Sequence, residues 1–211
     1  MIKIIIADDH PIVRRGLKEL INDESDMKVE CEASSAHEVL EKMRNHKIDI
    51  ILLDISMPGK SGLDVISDLK KEFPKKPILV LSALAEEIYA KRTIKIGAQG
   101  FMNKESAPEL LVEAIRKVNA GKRYISPKLA ELMAEDIASD KNELLHEKLS
   151  SREFEVLRLI GNGKTIGEIS HDLHLSVTTI STYRSRILGK LGLKNNSEII
   201  QFCINEKLIS D

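Results

Sequence analysis

Two apolar runs that each end in aspartate constrain this chain more than any other feature. Ile4-Ile5-Ile6-Ala7 leads into Asp8-Asp9, and Ile50-Ile51-Leu52-Leu53 leads into Asp54. Short apolar runs without polar alternation read as buried strands, and buried strands of this kind build parallel sheets. In an open parallel sheet, ligands bind in the crevice beyond the carboxyl ends of the strands, so these carboxylates are expected to converge there. Crowded carboxylates repel one another, and a hard divalent cation with oxygen ligands relieves the repulsion. The residues therefore point to a site for magnesium and a phosphoryl group.

Strand-like runs at 2–7, 28–33, 48–53, 78–82 and 99–102 alternate with helical patterns near 11–22, 35–46, 62–72, 86–96 and 106–119. Five βα units in a row predict an α/β doubly wound five-stranded parallel sheet. Its last helix is expected to open at Ser106 as N-cap, with Pro108 and Glu109 in the first turn, and to end at Gly121. The first domain is thus read as 1–121. Ser126-Pro127 begins a short helix to about Ala138, followed by the polar stretch 139–143, so 122–148 reads as a linker.

From Leu149 the strand signals vanish, and 149–211 reads as a small all-α domain of four helices. Ser150 with Glu153 forms a capping box, as does Thr165 with Glu168, while Asn195 with Glu198 caps the last helix. Gly161-Asn162-Gly163 stops the first of these helices, and a tight turn at 174–176 separates the second from a third over Val177 to about Leu191. Two helices joined by a tight turn match a helix-turn-helix DNA-binding module. The overall charge of −1 conceals a stretch from Leu173 to Ser197 that contains no acid but has Arg184, Arg186, Lys190 and Lys194.

The strand ends supply a complete set of groups for phosphoryl chemistry. Asp54 is the candidate nucleophile, because a carboxylate can form an acyl phosphate. Asp8, Asp9 and Asp54 would hold Mg²⁺, with the Ser56 carbonyl as a further oxygen. Ser82 can donate to a phosphoryl oxygen, and Lys104 can supply a point charge for another. A lone strand-end aspartate is ordinarily a helix cap or turn former. The ordered set of acid pair, acid, hydroxyl and lysine is not explained that way. It resembles the receiver domain of two-component response regulators, with a flavodoxin-like fold: Asp-Asp-His at 8–10, Asp54, Met57-Pro58-Gly59, Gly62, Ser82-Ala83 and Lys104 all match. The resemblance implies a sensor histidine kinase, or a small acyl phosphate, as phosphoryl donor, and an aromatic switch residue at Phe101. Glu105 stands where many receivers have proline, which leaves the geometry of that loop open.

The second half resembles the NarL/FixJ family with its LuxR-type helix-turn-helix, through 149–157, Ile166-Gly167-Glu168-Ile169, 175–180 and Leu188-Gly189-Lys190-Leu191. The resemblance implies that the helix from Val177 to Leu191 enters the major groove of promoter DNA. Val177, Ile180, Ile187, Leu188 and Leu191 form its apolar side. Ser181, Thr182, Arg184 and Ser185 are expected to face DNA, with Lys164, Thr165, Thr178 and Thr179 near the backbone and Arg186 and Lys190 meeting phosphates. Serines at 181 and 185 replace lysines common in the family, and Tyr183 replaces a histidine. Arg184 and Arg186 are therefore expected to carry more of the affinity.

Other patterns point away from other functions. Gly163-Lys164-Thr165 ends like a phosphate-binding loop, but Arg158 stands where that loop needs glycine. His171 and His174 lack a third ligand nearby in sequence. Cys31 and Cys203 read as free thiols. No apolar run approaches the roughly 20 residues of a membrane helix and no signal-type segment opens the chain, so a cytoplasmic protein without membrane contact is expected.

The combined expectation is a phosphorylation-controlled transcription regulator, not an enzyme, that forms a homodimer on activation, binds promoter DNA and admits RNA polymerase as a further partner. Two rivals are a DNA-binding regulator whose receiver is only a scaffold, and an aspartyl-phosphate phosphatase. The phosphatase would want a second acid two residues after Asp54, where Ser56 stands.

Overall fold

The computed structural model describes residues 1–57, 59–106, 108–138 and 145–209. Pro58 and the polar stretch 139–143 of the expected linker lie outside the described residues. The chain divides into two compact units, Met1–Ala138 and Ser139–Asp211.

In the first unit, strands β1 (Ile2–Ala7), β2 (Met27–Ala33), β3 (Ile50–Leu53), β4 (Ile78–Ser82) and β5 (Gly100–Asn103) alternate with helices α1 (Pro11–Asn22), α2 (Ala36–Asn45), α3 (Gly62–Glu72), α4 (Glu86–Ile96) and α5 (Pro108–Asn119). The sheet is wholly parallel, in the order β2-β1-β3-β4-β5. This is the expected doubly wound arrangement. The chain steps outward from β1 to β2 and then crosses back to β3, so the switch point lies between β1 and β3. Register pairs Ala7 with Leu53, which brings Asp8 and Asp54, the next residue of each strand, to one level.

Alternation along the strands divides the core in two. Ile4, Ile6, Ile50, Leu52, Leu79 and Leu81 pack with Leu111, Ile115 and Val118 of α5 and Ile21 of α1. The alternate residues Ile5, Ile51, Leu53, Val80 and Phe101 are also buried, so both faces of the sheet are covered. The strand expected at 48–53 begins at Ile50. Ile48 is buried but precedes the ladder, where the Asp49 carboxylate takes the Lys3 N–H at 2.9 Å. The helix expected from 106 begins at Pro108.

Residues 122–138, expected as the start of a linker, instead pack on the first unit. Tyr124 donates its N–H to the Gln99 carbonyl at 2.9 Å and bridges Gly100. Helix α6 (Pro127–Ala138) follows and lies on α4.

The second unit has a short 3-10 helix (Leu145–Lys148) and four α-helices: α7 (Ser151–Gly161), α8 (Ile166–Asp172), α9 (Val177–Leu191) and α10 (Asn196–Asn205). Both expected capping boxes form, Ser150 with Glu153 and Thr165 with Glu168, and Asn195 accepts the Glu198 N–H at 3.0 Å. Phe154, Leu157, Ile160, Ile169, Ile180, Ile187, Ile199 and Cys203 are buried together. No helix among the described residues is long and apolar enough to cross a membrane.

Gly62 shows why the loop after β3 needs a glycine. A Cβ there would stand 2.3 Å from the Ile55 Cα, against backbone that cannot yield without moving Asp54. Gly62→Ala is expected to destabilise the first unit by about 2 kcal/mol or more. Urea unfolding followed by circular dichroism measures the loss, and an unchanged midpoint would refute the contact.

Candidate functional site

Asp8 and Asp54 are buried side by side at the switch point. The Asp54 N–H donates to the Ala7 carbonyl at 2.8 Å, continuing the β1–β3 ladder one residue past its end. Each carboxylate fixes one oxygen locally: Asp8 Oδ1 accepts the His10 N–H and Asp54 Oδ1 the Ser56 N–H, both at 2.8 Å. Their other oxygens meet at a single cation. Lys104 Nζ stands 2.6 Å from Asp8 Oδ2 and 2.5 Å from Asp54 Oδ2. Its root is held where the Lys104 N–H donates to the Ser82 carbonyl at 3.0 Å. Burial is the strongest single influence on this ammonium and favours losing the proton. Hydrogen bonds and Coulombic attraction from Asp54 and Asp8 together outweigh it, so the lysine titrates above its ordinary range and stays charged.

Asp9 completes the cluster. Ligand atoms of Asp8, Asp9, His10 and Asp54 all lie within 4.8 Å of one another. His10 Nδ1 is 2.9 Å from Asp9 Oδ1 but off hydrogen-bonding geometry, and this buried oxygen has no hydrogen-bond partner. Three carboxylates against one ammonium leave a net formal charge of −2, which one divalent cation would neutralise. An orphaned buried oxygen and an all-oxygen carboxylate set fit Mg²⁺.

Ser82 is fully buried at the end of β4. Its Oγ accepts the Leu84 N–H at 3.2 Å and lies 3.2 Å from Ser56 Oγ in a shared hydroxyl hydrogen bond. Phe101 is fully buried on β5, two strands from Asp54, and brings no polar group to the crevice. After Lys104 the chain turns with a trans peptide, and Asn103 Oδ1 accepts the Glu105 N–H at 2.8 Å. The structure thus gathers Asp8, Asp9, Asp54, Ser56, Ser82 and Lys104. Sequence reasoning named His10 only within the matching Asp-Asp-His, without a role, and left out Arg14, whose Nη1 donates to the Asp8 carbonyl at 2.6 Å. The histidine directly after the acid pair was the available signal.

In the second unit, Ile180, Ile187 and Leu191 form the buried stripe of α9. Thr178, Ser181, Thr182, Ser185 and Arg186 lie on its exposed side. Val177, expected on the apolar side, is 54% exposed because the first turn precedes the packed stripe.

Three of the expected DNA-contacting cations have partners within the unit. Lys190 Nζ lies 2.6 Å from the buried Glu153 carboxylate. Burial pushes Glu153 upward most strongly, but its bonds to Lys190 and Ser150 prevail and hold it below the ordinary range. Lys190 therefore serves first as a structural partner of α7. Arg184 Nε donates to Asn196 Oδ1 at 2.5 Å, and Lys164 pairs with Asp172 at 2.5 Å. Thr165 Oγ1 bonds Glu168, Thr179 shares a hydrogen bond with Ser176, and Thr182 donates back to the Thr178 carbonyl. Arg186 is exposed and forms no hydrogen bond or ion pair among the described residues.

Comparison with known proteins matches both units. Residues 4–116 match the response regulator receiver domain, and residues 147–203 match the bacterial regulatory proteins of the luxR family. The oxygen regulatory protein NreC of Staphylococcus aureus is 36% identical, over 98% of this chain and 99% of its own. Among solved structures, RcsB of Salmonella enterica serovar Typhimurium bound to a promoter with the phosphomimetic BeF3− is 28% identical, with a TM-score of 0.62 over 95% of this chain and 97% of that one. The response regulator ChrA of a heme-sensing two-component system is 28% identical, with a TM-score of 0.52 over 99% and 98%.

Lys104→Met strands two buried carboxylates and is expected to cost about 2–4 kcal/mol at neutral pH. Millimolar Mg²⁺ should recover part of that loss, and thermal melts with and without the ion measure both effects; a variant as stable as wild type would refute the role. For α9, Arg186→Ala is expected to weaken DNA binding and reduce the salt slope by about one, while Lys190→Ala mainly lowers the melting temperature. Fluorescence anisotropy across a salt series, paired with melts, distinguishes them, and the reverse assignment would overturn this reading.

Proposed function

The chain belongs to the response regulators that carry a receiver domain and a LuxR-family regulatory domain, and on that premise we propose that Asp54 is the phosphoacceptor that controls its binding to DNA. The observation that carries this reading is the single ammonium of Lys104 shared by Asp8 and Asp54 at the sheet's switch point. The ion pair holds the carboxylates in place before reaction, and its Asp54 arm is the one a phosphoryl group would displace.

The chemistry is an in-line transfer. An Asp54 carboxylate oxygen attacks phosphorus in the phosphohistidine of a sensor kinase, or in an acyl phosphate. An acyl phosphate forms on Asp54, and the bond to the donor's leaving atom breaks. Mg²⁺, held by Asp8, Asp9, Asp54 and the Ser56 carbonyl, would supply positive charge to the phosphoryl oxygens. Lys104 turns its ammonium to a phosphoryl oxygen. Ser82, whose hydroxyl already lies in the crevice, donates to another, while Phe101 responds to the change from within the core.

In the DNA-binding half, Arg186 and the hydroxyl face of α9 would meet the major groove. Thr165, Thr178 and Thr179 would lie near the backbone, and Lys164 and Arg184 would be recruited from their present partners. Phosphorylation promotes a homodimer whose two copies gain avidity on paired half-sites. RNA polymerase is the downstream partner, and the protein works in the cytoplasm. A receiver that serves only as a scaffold is the second reading; the complete acidic set disfavours it. The phosphatase alternative is disfavoured by Ser56, which stands where that chemistry would want an acid.

DNA binding by the full-length protein, with and without Mg²⁺ and acetyl phosphate at fixed salt, tests the proposal. Wild type is expected to bind about tenfold more tightly when phosphorylated, and Asp54→Ala to show no response. Equal binding in all conditions would favour the scaffold reading.

A further inference from the structure

The loops that lead into the strands of a parallel sheet gather at the end opposite the crevice. Residues 44–49 precede β3, 70–77 precede β4 and 95–99 precede β5, while 117–124 leave α5 at the same end. Contacts join these segments into one surface. Arg44 donates to the two Glu72 oxygens at 2.6 and 2.8 Å, and Lys76 Nζ bonds the Ile48 carbonyl. Lys70 Nζ donates to the Lys76 carbonyl at 2.7 Å and to Gln99 Oε1 at 3.2 Å, and the Tyr124 N–H reaches the Gln99 carbonyl at 2.9 Å.

The surface is strongly basic. Its four segments hold ten lysines and arginines against two acids, a net of +8 in a chain whose total is −1. Both acids are already engaged, Glu72 by Arg44 and Asp49 by the Lys3 N–H. The inward lysines, Lys70 and Lys76, spend their ammonium groups on carbonyls, which leaves their charge uncancelled. Glu24 and Asp26, in the neighbouring turn before β2, are held by Arg116. Lysines in the last turn of a helix complement its dipole, which accounts for Lys71 and Lys117. Lys47, Lys75, Lys122 and Arg123 lie past the helix ends, where the dipole gives no reason for them. All four are exposed and form no hydrogen bond or ion pair among the described residues.

Like charges gathered without partners point to a polyanion, and the composition of the surface selects its class. No exposed large hydrophobic residue lies in these segments, whereas protein partners ordinarily bury an apolar core from which lysine is depleted. A phosphate backbone asks only for point charges. We propose that this end of the first unit is a second DNA surface, one that takes the phosphate backbone of a duplex without reading its bases. The inference rests on DNA binding by the chain and not on Asp54 as phosphoacceptor. A duplex held by the LuxR-family unit is presented to the first unit at high effective concentration, so weak contacts suffice. The acidic crevice at the other end of the sheet repels phosphates, which orients the unit and leaves the crevice open to a phosphoryl donor.

Fluorescence anisotropy of the full-length protein on a random duplex of about 40 bp, across a salt series, tests this. Lys47→Gln, Lys75→Gln, Lys122→Gln and Arg123→Gln combined are expected to weaken binding about tenfold near ~0.1 M salt and to reduce the salt slope by about 2–4, with the melting temperature unchanged. A control that loses the same charge elsewhere on the unit, Arg15→Gln, Lys18→Gln, Lys60→Gln and Lys128→Gln, should keep the wild-type slope. An equal loss in the control would assign the effect to overall charge and overturn the proposal. An unchanged slope in the first variant would also overturn it, and Arg186→Ala in the same assay shows whether the reading of α9 stands. Should the first variant melt early, hydrogen–deuterium exchange of wild type with and without the duplex decides: protection across 70–77 and 117–124 is expected, and its absence refutes the surface. Protection there by poly-glutamate but not by the duplex would make the surface a dock for an acidic protein and overturn the DNA assignment.

Discussion

Lys104 between Asp8 and Asp54 sets the terms for the first unit. To make both contacts, β1 and β3 must be neighbours that end at one level, and β5 must end within a lysine's reach although β4 lies between. Neither side of the contact is tolerable alone. The ammonium would be driven toward its neutral form by burial, and the two carboxylates would repel one another in a crevice with little water. Together they are held in fixed rotamers, because the remaining oxygen of each carboxylate is taken by a backbone N–H two residues on. The crevice is thereby preorganised for an incoming charge while keeping a deficit of positive charge that a divalent cation can fill.

The second unit uses a related pair for a different end. Glu153 closes the α7 capping box and, buried at the α7–α9 contact, also takes the Lys190 ammonium. One carboxylate thus satisfies a helix terminus and ties α9 to α7. The exposed side of α9 presents hydroxyls, with Arg186 as its cation that forms no hydrogen bond or ion pair among the described residues. Hydroxyls position a helix through short contacts, whereas guanidinium reads a guanine edge or a phosphate in two directions at once. A face of this composition concentrates its electrostatic contribution at one place.

Much of this architecture is legible in the linear chain because its causes are local. Apolar runs of four to six residues mark strands, and hydroxyl or amide residues followed three positions later by glutamate mark helix starts at Ser150, Thr165 and Asn195. The order of polar residues at strand ends was enough to nominate the crevice. The docking of 122–138 on the first unit was not legible, because it depends on Tyr124, Ser126, Lys128 and Leu129, single residues without a shared periodicity. Val177 misled for a related reason: a β-branched residue beside an apolar stripe belongs to it only if the neighbouring helix reaches that far.

By itself, the sequence determined the fold class, the two-part organisation, the helix caps at Ser150, Thr165 and Asn195, and the identity of the groups at the strand ends. These follow from stretches of three to fifteen contiguous residues, whose conformational preferences need no distant partner. Only the tertiary structure decided which charges meet. Lys104 finds Asp54 across 50 positions, and Lys190 finds Glu153 across 37. An ion pair depends on distance in space, and burial decides whether that pair organises a site or merely decorates a surface. For that reason two lysines that look alike in sequence, each beside an apolar segment, serve an acidic crevice in one unit and a helix junction in the other.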